Sequence, residues 1–321
     1  MLLIVSNTQD LHSDVVVLEC AARGAPVLRL NTEQYPARIG LDLRLNGASW
    51  SGTLRVPGRA AVSLDQIQSV WYRRPELPSV DHLAPADREL VREEASTALG
   101  MLYQALEDRF WMSWPPALRA AQQKGGQLVR ASRLGLATPR SLVTSDPHEI
   151  VALLAEHGPR GVVKRLGAIT GLNEAIYTTP IDRDTIRGSE AEIAVCPVLV
   201  QEYVPKAVEI RAVVVDETVL AAEIHSQTNE RTRHDLRRQD LLRTPHRRHA
   251  LPDRIAAALV SLTRSYGLTF SAADLILTPE GEYVFLDLNP NGQWGWIESL
   301  TGLPIAATLT ERLLRGHRAS E

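Results

Sequence analysis

The stretch VFLDLNPNGQ at residues 284–293 decides the reading of this chain. Val284, Phe285, Leu286 and Leu288 predict a buried strand that runs into a Pro-Asn-Gly turn. Asp287 and Asn289 stand two residues apart, so a strand points both to one face. Upstream, SAADLIL at 271–277 predicts a second strand carrying Asp274, joined to the first by the turn-forming Thr278-Pro279-Glu280-Gly281. Pairing this hairpin brings Asp274 beside Asp287. Two carboxylates and an amide oxygen suit a hard cation such as Mg²⁺, which keeps water and phosphate oxygens among its ligands. A lone Asp at a strand end is usually a turn or cap residue, and only the grouping of three acceptors on one hairpin carries the metal reading.

The rest of the chain sets the frame. Its 321 residues, 44% hydrophobic, leave room for two or three modest domains. A net charge of −3 gives no general case for nucleic acid, and no apolar run is long enough to predict a membrane span. The start, MLLIVSNTQD, reads as a strand and not as a signal peptide. Cys20 and Cys196 fit no metal spacing, and a reducing cytoplasm is the expected location.

Residues 1–110 alternate strand and helix signals and predict an α/β domain, with a helix running from Ser13 to Arg23 and stopped by Gly24. The lack of GxGxxG after the first strand argues against a dinucleotide site. SWPPAL at 113–118 marks a boundary. Beyond it the pattern predicts one helix over 117–134, strands at 141–143, 161–164 and 198–204, and a hairpin around 216–218. An irregular polar stretch at 226–249 and helices at 253–266 and 305–314 complete it.

Several positions could bear chemistry. Lys164 ends an apolar strand before LGAITG at 166–171, where backbone N–H groups and Thr170 could join it on phosphates. Alone the signal is weak, because GxxxxGK[ST] is absent. Lys124, before a Gly-Gly pair, reads as a solvated lysine. Gln201, Glu202, Tyr203 and Val204 close a strand before Pro205; they could border an adenine or simply run into a surface turn. Glu209 and Arg211 share a strand face and could form a cross-strand salt bridge or hold a ribose and a phosphate. Residues 231–249 carry seven arginines and three histidines against two aspartates, a solvated face or an attractor for an anionic substrate. His225 reads as structural, and neither a Ser-His-Asp order nor a nucleophile elbow is visible.

In chain order, Lys124, Lys164, the small-residue loop, QEY at 201–203, Glu209-x-Arg211, Asp274 and Asp287-x-Asn289 resemble the ATP-grasp ligases over residues 117–300. VWYRRP at 70–75, EIRAVVV at 209–215, DLR at 235–237 and FLDLNPNGQW at 285–294 resemble motifs of the graspetide synthetases. These are ribosomal-peptide maturases that include the microviridin ligases. The resemblance implies an ATP-grasp fold of α/β and α+β class: an N-terminal α/β pre-ATP-grasp domain at 1–115, a central subdomain at 116–195 and a C-terminal subdomain at 196–321. It implies that Lys124 and Lys164 bind ATP phosphates, that Gln201, Glu202 and Val204 border the adenine, and that Glu209 holds the ribose. Arg211 and Lys164 would steady the reacting phosphate. Asp274, Asp287 and Asn289 would hold Mg²⁺, and Asp235 and Arg237 would contact the peptide. The family more often has Glu where Asp287 stands, and often an aromatic where Leu236 stands.

The implied activity is ATP-dependent macrocyclisation of a ribosomally made precursor with a leader and a core rich in Thr and Asp/Glu. A side-chain carboxylate is phosphorylated. A Thr or Ser hydroxyl then attacks it to give an ω-ester, or a Lys amine an ω-amide. A homodimer is expected from the same resemblance. The ATP site alone does not identify the acceptor, so a ligase that adds an amino acid to a small molecule or protein tail remains the second reading. A non-catalytic binding module is the third, and the intact lysines and carboxylates argue against it.

Overall fold

A strand with every residue buried, β1 (Leu2–Ser6), begins the computed structural model, which describes residues 1–167, 179–226 and 244–316. The chain divides into two units: Met1–Pro115 together with the segment from Pro304, and Pro116–Leu303.

In the first unit β1 is followed by α1 (Leu11–Ala22), β2 (Val27–Asn31), β3 (Gly40–Asn46), β4 (Ser49–Arg55), β5 (Val62–Ser63), β6 (Ser69–Tyr72), α2 (Pro85–Ala105) and β7 (Phe110–Met112). Strands β2-β1-β6-β7 form a parallel sheet, and β3-β4-β5 a small antiparallel one. Leu3, Val5, Leu28, Leu30, Val70 and Leu102 lie in one buried cluster. Helix α1 starts earlier than the sequence predicts. Asp10, not Ser13, is its N-cap, accepting from the Ser13 N–H at 3.1 Å and the Ser13 hydroxyl at 2.6 Å. Burial works to raise the Asp10 pKa. Hydrogen bonds from His12 and Ser13 and the charge of Arg73 outweigh it and hold the carboxyl well below the usual range.

The second unit contains α3 (Pro115–Ala121), α4 (Lys124–Arg133), β8 (Ser141–Thr144), α5 (Pro147–His157), β9 (Gly161–Lys164), β10 (Thr179–Ile181), α6 (Arg183–Arg187), α7 (Glu190–Val195) and β11 (Val198–Glu202). It continues with β12 (Val208–Val215), β13 (Thr218–Ile224), β14 (His246–His249), α8 (Asp253–Ser265), β15 (Phe270–Leu277), β16 (Tyr283–Asn289) and α9 (Gly295–Thr301). Strands β10-β9-β11-β8 form one antiparallel sheet, and β14-β13-β12-β15-β16 a second. Helix α8 packs on β12, β13 and β15 and buries Ile255, Leu259 and Leu262. The last helix, α10 (Ile305–Arg315), lies against α1 in the first unit.

Four further expectations differ from this architecture. The helix expected over 117–134 is two helices, because Gln123 is extended and the Gln127 side chain takes the Ala121 carbonyl at 2.6 Å that a continuing turn would have used. Residues 246–249, expected to be irregular, form an edge strand on β13. There Arg247 stands opposite Glu223, and His249 reaches the same carboxylate at 3.1 Å. The expected boundary at 195/196 cuts off β11, which pairs with both β8 and β9 and so belongs to their sheet. The segment from Pro304 groups with the first unit and not with the C-terminal subdomain. Among the described residues, no helix is long and apolar enough to cross a membrane.

Candidate active site

The hairpin of β15 and β16 turns through Thr278–Gly281. The Gly281 N–H donates to the Thr278 carbonyl at 3.0 Å, and Gly281 adopts a left-handed φ of 88°. From Leu277↔Tyr283 the register runs to Leu275↔Phe285, then shifts so that Asp274 faces Asp287. Leu286 is the extra residue of a β-bulge, and without it Leu286 would stand opposite Asp274. The bulge therefore puts both carboxylates on one face, with Asn289 following opposite Ala272.

Arg211 of β12 is the next member of this row, since it pairs with Asp274 on its other side. Arg211 is 7% exposed; its guanidinium donates to Asp274 Oδ1 at 2.8 Å and to the Gln293 carbonyl at 3.0 Å, while its buried Nε has no partner among the described residues. Thus one alternative read from sequence, a cross-strand salt bridge, is realised, but with Asp274 and not Glu209. Gly292 makes room for this guanidinium, because a Cβ there would meet Arg211 Nη2 at 2.6 Å and Ala272 Cβ at 2.5 Å.

Lys124 is not simply solvated. It opens α4, and its Nζ lies 3.0 Å from Asp287 Oδ2. The partner is 163 residues away, so local pattern could not reveal the contact. Two residues before the Arg211 position, Glu209 accepts from Lys206 and, at 2.8 Å, from the Ser226 hydroxyl. Burial pushes the Glu209 carboxyl up, against the pull of Lys206 and Ser226.

At the end of β11, Gln201 is buried and its Nε2 donates to Ser141 Oγ at 2.9 Å. That hydroxyl donates in turn to the Pro139 carbonyl, which fixes the amide's orientation and leaves Gln201 Oε1 without a partner among the described residues. Glu202 is engaged otherwise, accepting from the Arg140 N–H at 2.8 Å, and Val204 is half-buried. Lys164 sits opposite Leu199 on β9. Thus Arg211, Asp274, Asp287, Asn289 and Lys124 form one cluster, while Gln201, Glu202 and Lys164 lie on the neighbouring sheet. Asp235, Arg237, Thr170 and most of the basic stretch lie outside the described residues. Sequence reasoning missed Lys206, Ser226, Ser141 and Gln127; only Lys206, three residues before Glu209, carried a local signal.

Residues 122–313 match the model of the RimK-like ATP-grasp domain, and residues 1–119 that of the MvdD pre-ATP grasp domain. The chain belongs to the RimK-like ATP-grasp family. No curated protein matches this ATP-grasp chain in sequence. Among solved structures, it resembles a Chryseobacterium gregarium RiPP-associated ATP-grasp ligase in complex with ADP and a leader and core peptide. That match is 26% identical, with a TM-score of 0.88, and covers 98% of this chain and 96% of the other. It also resembles the macrocyclase MdnC of Microcystis aeruginosa MRC, bound with precursor peptide MdnA, at 27% identity and TM-score 0.83, covering 98% and 99%. MdnB of the same organism, also a macrocyclase, is 28% identical with TM-score 0.78 and 98% coverage of each chain.

Within this ATP-grasp chain Gly292 offers a direct test. Gly292→Ala forces the turn and the Arg211 guanidinium apart; if Arg211 acts in the reaction, a misplacement of about an ångström costs on the order of a hundredfold in rate. We expect a folded protein by circular dichroism with ATP turnover reduced to that extent. Turnover equal to the parent's would show that the close approach has no bearing on the reaction.

Proposed function

We propose that this protein is an ATP-dependent peptide macrocyclase. It phosphorylates Asp or Glu side chains of a ribosomal precursor peptide and joins them to Thr or Ser hydroxyls as ω-esters, or to Lys amines as ω-amides. The observation that carries the reading is the likeness over 98% of the chain to a ligase and a macrocyclase whose structures hold precursor peptide. The fold alone would not suffice: D-cycloserine synthetase DcsG shares it at 14% identity and TM-score 0.60.

The residues fit the roles. Gln201 Oε1, buried and unpartnered among the described residues, can accept from an adenine amine, with Val204 and the Glu202 backbone beside it. Glu209, anchored by Lys206 and Ser226, would hold the ribose. Lys124 and Lys164 bring positive charge to the phosphates. Asp274, Asp287 and Asn289 supply the hard oxygen donors that Mg²⁺ prefers. Bound there, Mg²⁺ supplies charge neutralisation on the transferred phosphoryl group. Arg211, held flat by Asp274 and the Gln293 carbonyl, is pre-organised for the same charge and needs no reorganisation during transfer. No enzyme nucleophile is required. Asp235 and Arg237 are assigned to the core peptide, and the basic stretch around them complements a carboxylate-rich core. We place the reaction in a reducing cytoplasm, in keeping with Cys20 and Cys196, both free. The working unit is taken as a homodimer, which light scattering would check.

The test is to mix the protein with ATP, Mg²⁺ and candidate precursor peptides that carry a leader and a core rich in Thr and Asp/Glu. We expect ADP release and loss of one water per cross-link by mass spectrometry. ATP consumption with an unshifted peptide mass overturns macrocyclisation. A mass gain equal to one amino acid selects the amino-acid ligase instead.

A further inference from the structure

Strand β16 is the outer edge of its five-stranded sheet, so one side of its backbone has no strand neighbour. Edge strands need cover, and a bulged one has a competing register close at hand. At Leu288, between Asp287 and Asn289, the cover is one side chain. Gln127 of α4, 2% exposed, donates from Nε2 to the Leu288 carbonyl at 2.7 Å and accepts the Leu288 N–H on Oε1 at 2.9 Å. The same Nε2 donates to the Ala121 carbonyl at the end of α3. The carboxamide takes the place of a sixth strand at a single residue. The next outward position is covered by the Ala137 carbonyl, which accepts the Phe285 N–H at 2.8 Å. One turn before Gln127 on α4, Lys124 contacts Asp287 itself.

We propose that Gln127 is a positioning residue for the cation site; this rests on the reading of Asp287 and Asn289 as ligands. Both ligands flank the peptide groups that Gln127 grips. Slippage of β16 by one residue, which would remove the bulge at Leu286, would turn both side chains to the opposite face of the sheet. Gln127 ties the chosen register to α4 and thereby to Lys124, so the carboxylates and the lysine are presented together.

The test uses the full chain with ADP and Mn²⁺ as probes. Gln127→Met keeps length and removes donor and acceptor; Gln127→Glu keeps an acceptor for the Leu288 N–H. Free Mn²⁺ measured by electron paramagnetic resonance should show binding weakened roughly 10-fold or more in Gln127→Met, the usual cost of removing a group that orients metal ligands. Gln127→Glu should fall between this variant and the parent, and metal-free ADP binding should be unchanged in both. Parental Mn²⁺ affinity in folded Gln127→Met overturns the proposal. So does loss of fold in both variants, or an equal fall in metal-free ADP binding, since either makes Gln127 part of the general scaffold. Asp287→Ala, measured alongside, separates the two levels. If it abolishes Mn²⁺ binding while Gln127→Met does not change it, only the positioning role fails. If Asp287→Ala leaves Mn²⁺ binding intact, the ligand reading fails and the positioning role with it.

Discussion

Asp287→Ala is expected to lower ADP release roughly a thousandfold or more while leaving the melting temperature close to the parent's. A catalytic metal contributes several kcal/mol to stabilising the transferred charge, and each 1.4 kcal/mol or so is tenfold in rate. The stability side is small for three reasons. The Asp287 side chain is 31% exposed and its partner Lys124 is 25% exposed, so the pair is worth about 1 kcal/mol or less. Asp287 stands opposite Asp274, and removing one of two facing carboxylates relieves repulsion. The strand itself is held by Leu288 and Phe285, both buried. Asn289→Ala, at an exposed position, should likewise lose turnover and keep its fold. ADP release at the parental rate in Asp287→Ala would remove that carboxylate from the cation site. A large drop in melting temperature in both variants would make these residues caps of the strand end.

What could be read from sequence was what local chemistry dictates. Apolar runs and turn residues gave the β12–β13 and β15–β16 hairpins. The row of candidate side chains was legible as types in order, but not as geometry. A register counted back from Tyr283↔Leu277 puts Leu286, not Asp287, opposite Asp274, and only the bulge corrects it. Bulges are decided by what packs on both faces and along the edge, which no window of sequence contains. The same holds for the break between α3 and α4: its cause is Gln127, whose other partner, Leu288, is 161 residues away. The strand at 246–249 was hidden because His and Arg read as solvated charge. Its side chains are spent on Glu223 and on the Thr301 and Gly302 carbonyls. The roles of Asp235 and Arg237 rest on the family resemblance alone.

Arg211→Lys should behave almost like Arg211→Ala in rate and almost like the parent in binding, and this split separates shape from charge. The guanidinium serves Asp274 and the Gln293 carbonyl at once, and its plane is fixed before any phosphate arrives. Lysine delivers a comparable charge through a flexible stem and cannot span both partners in one plane. An arginine placed on a transferring phosphoryl group is worth on the order of a thousandfold or more in turnover. We therefore expect kcat to fall by about that factor in both variants, with KM for ATP nearly parental in Arg211→Lys, the signature of an interaction made mainly in the transition state. Stability should not obscure the result. Breaking a fully buried pair costs about 3–5 kcal/mol, but the Asp274 side chain is 47% exposed and water can take over from the missing guanidinium. Arg211→Ala should accordingly remain folded. A kcat retained in Arg211→Lys would reduce Arg211 to a point charge. A raised KM with kcat unchanged in both would place its contribution in nucleotide binding and not in phosphoryl transfer.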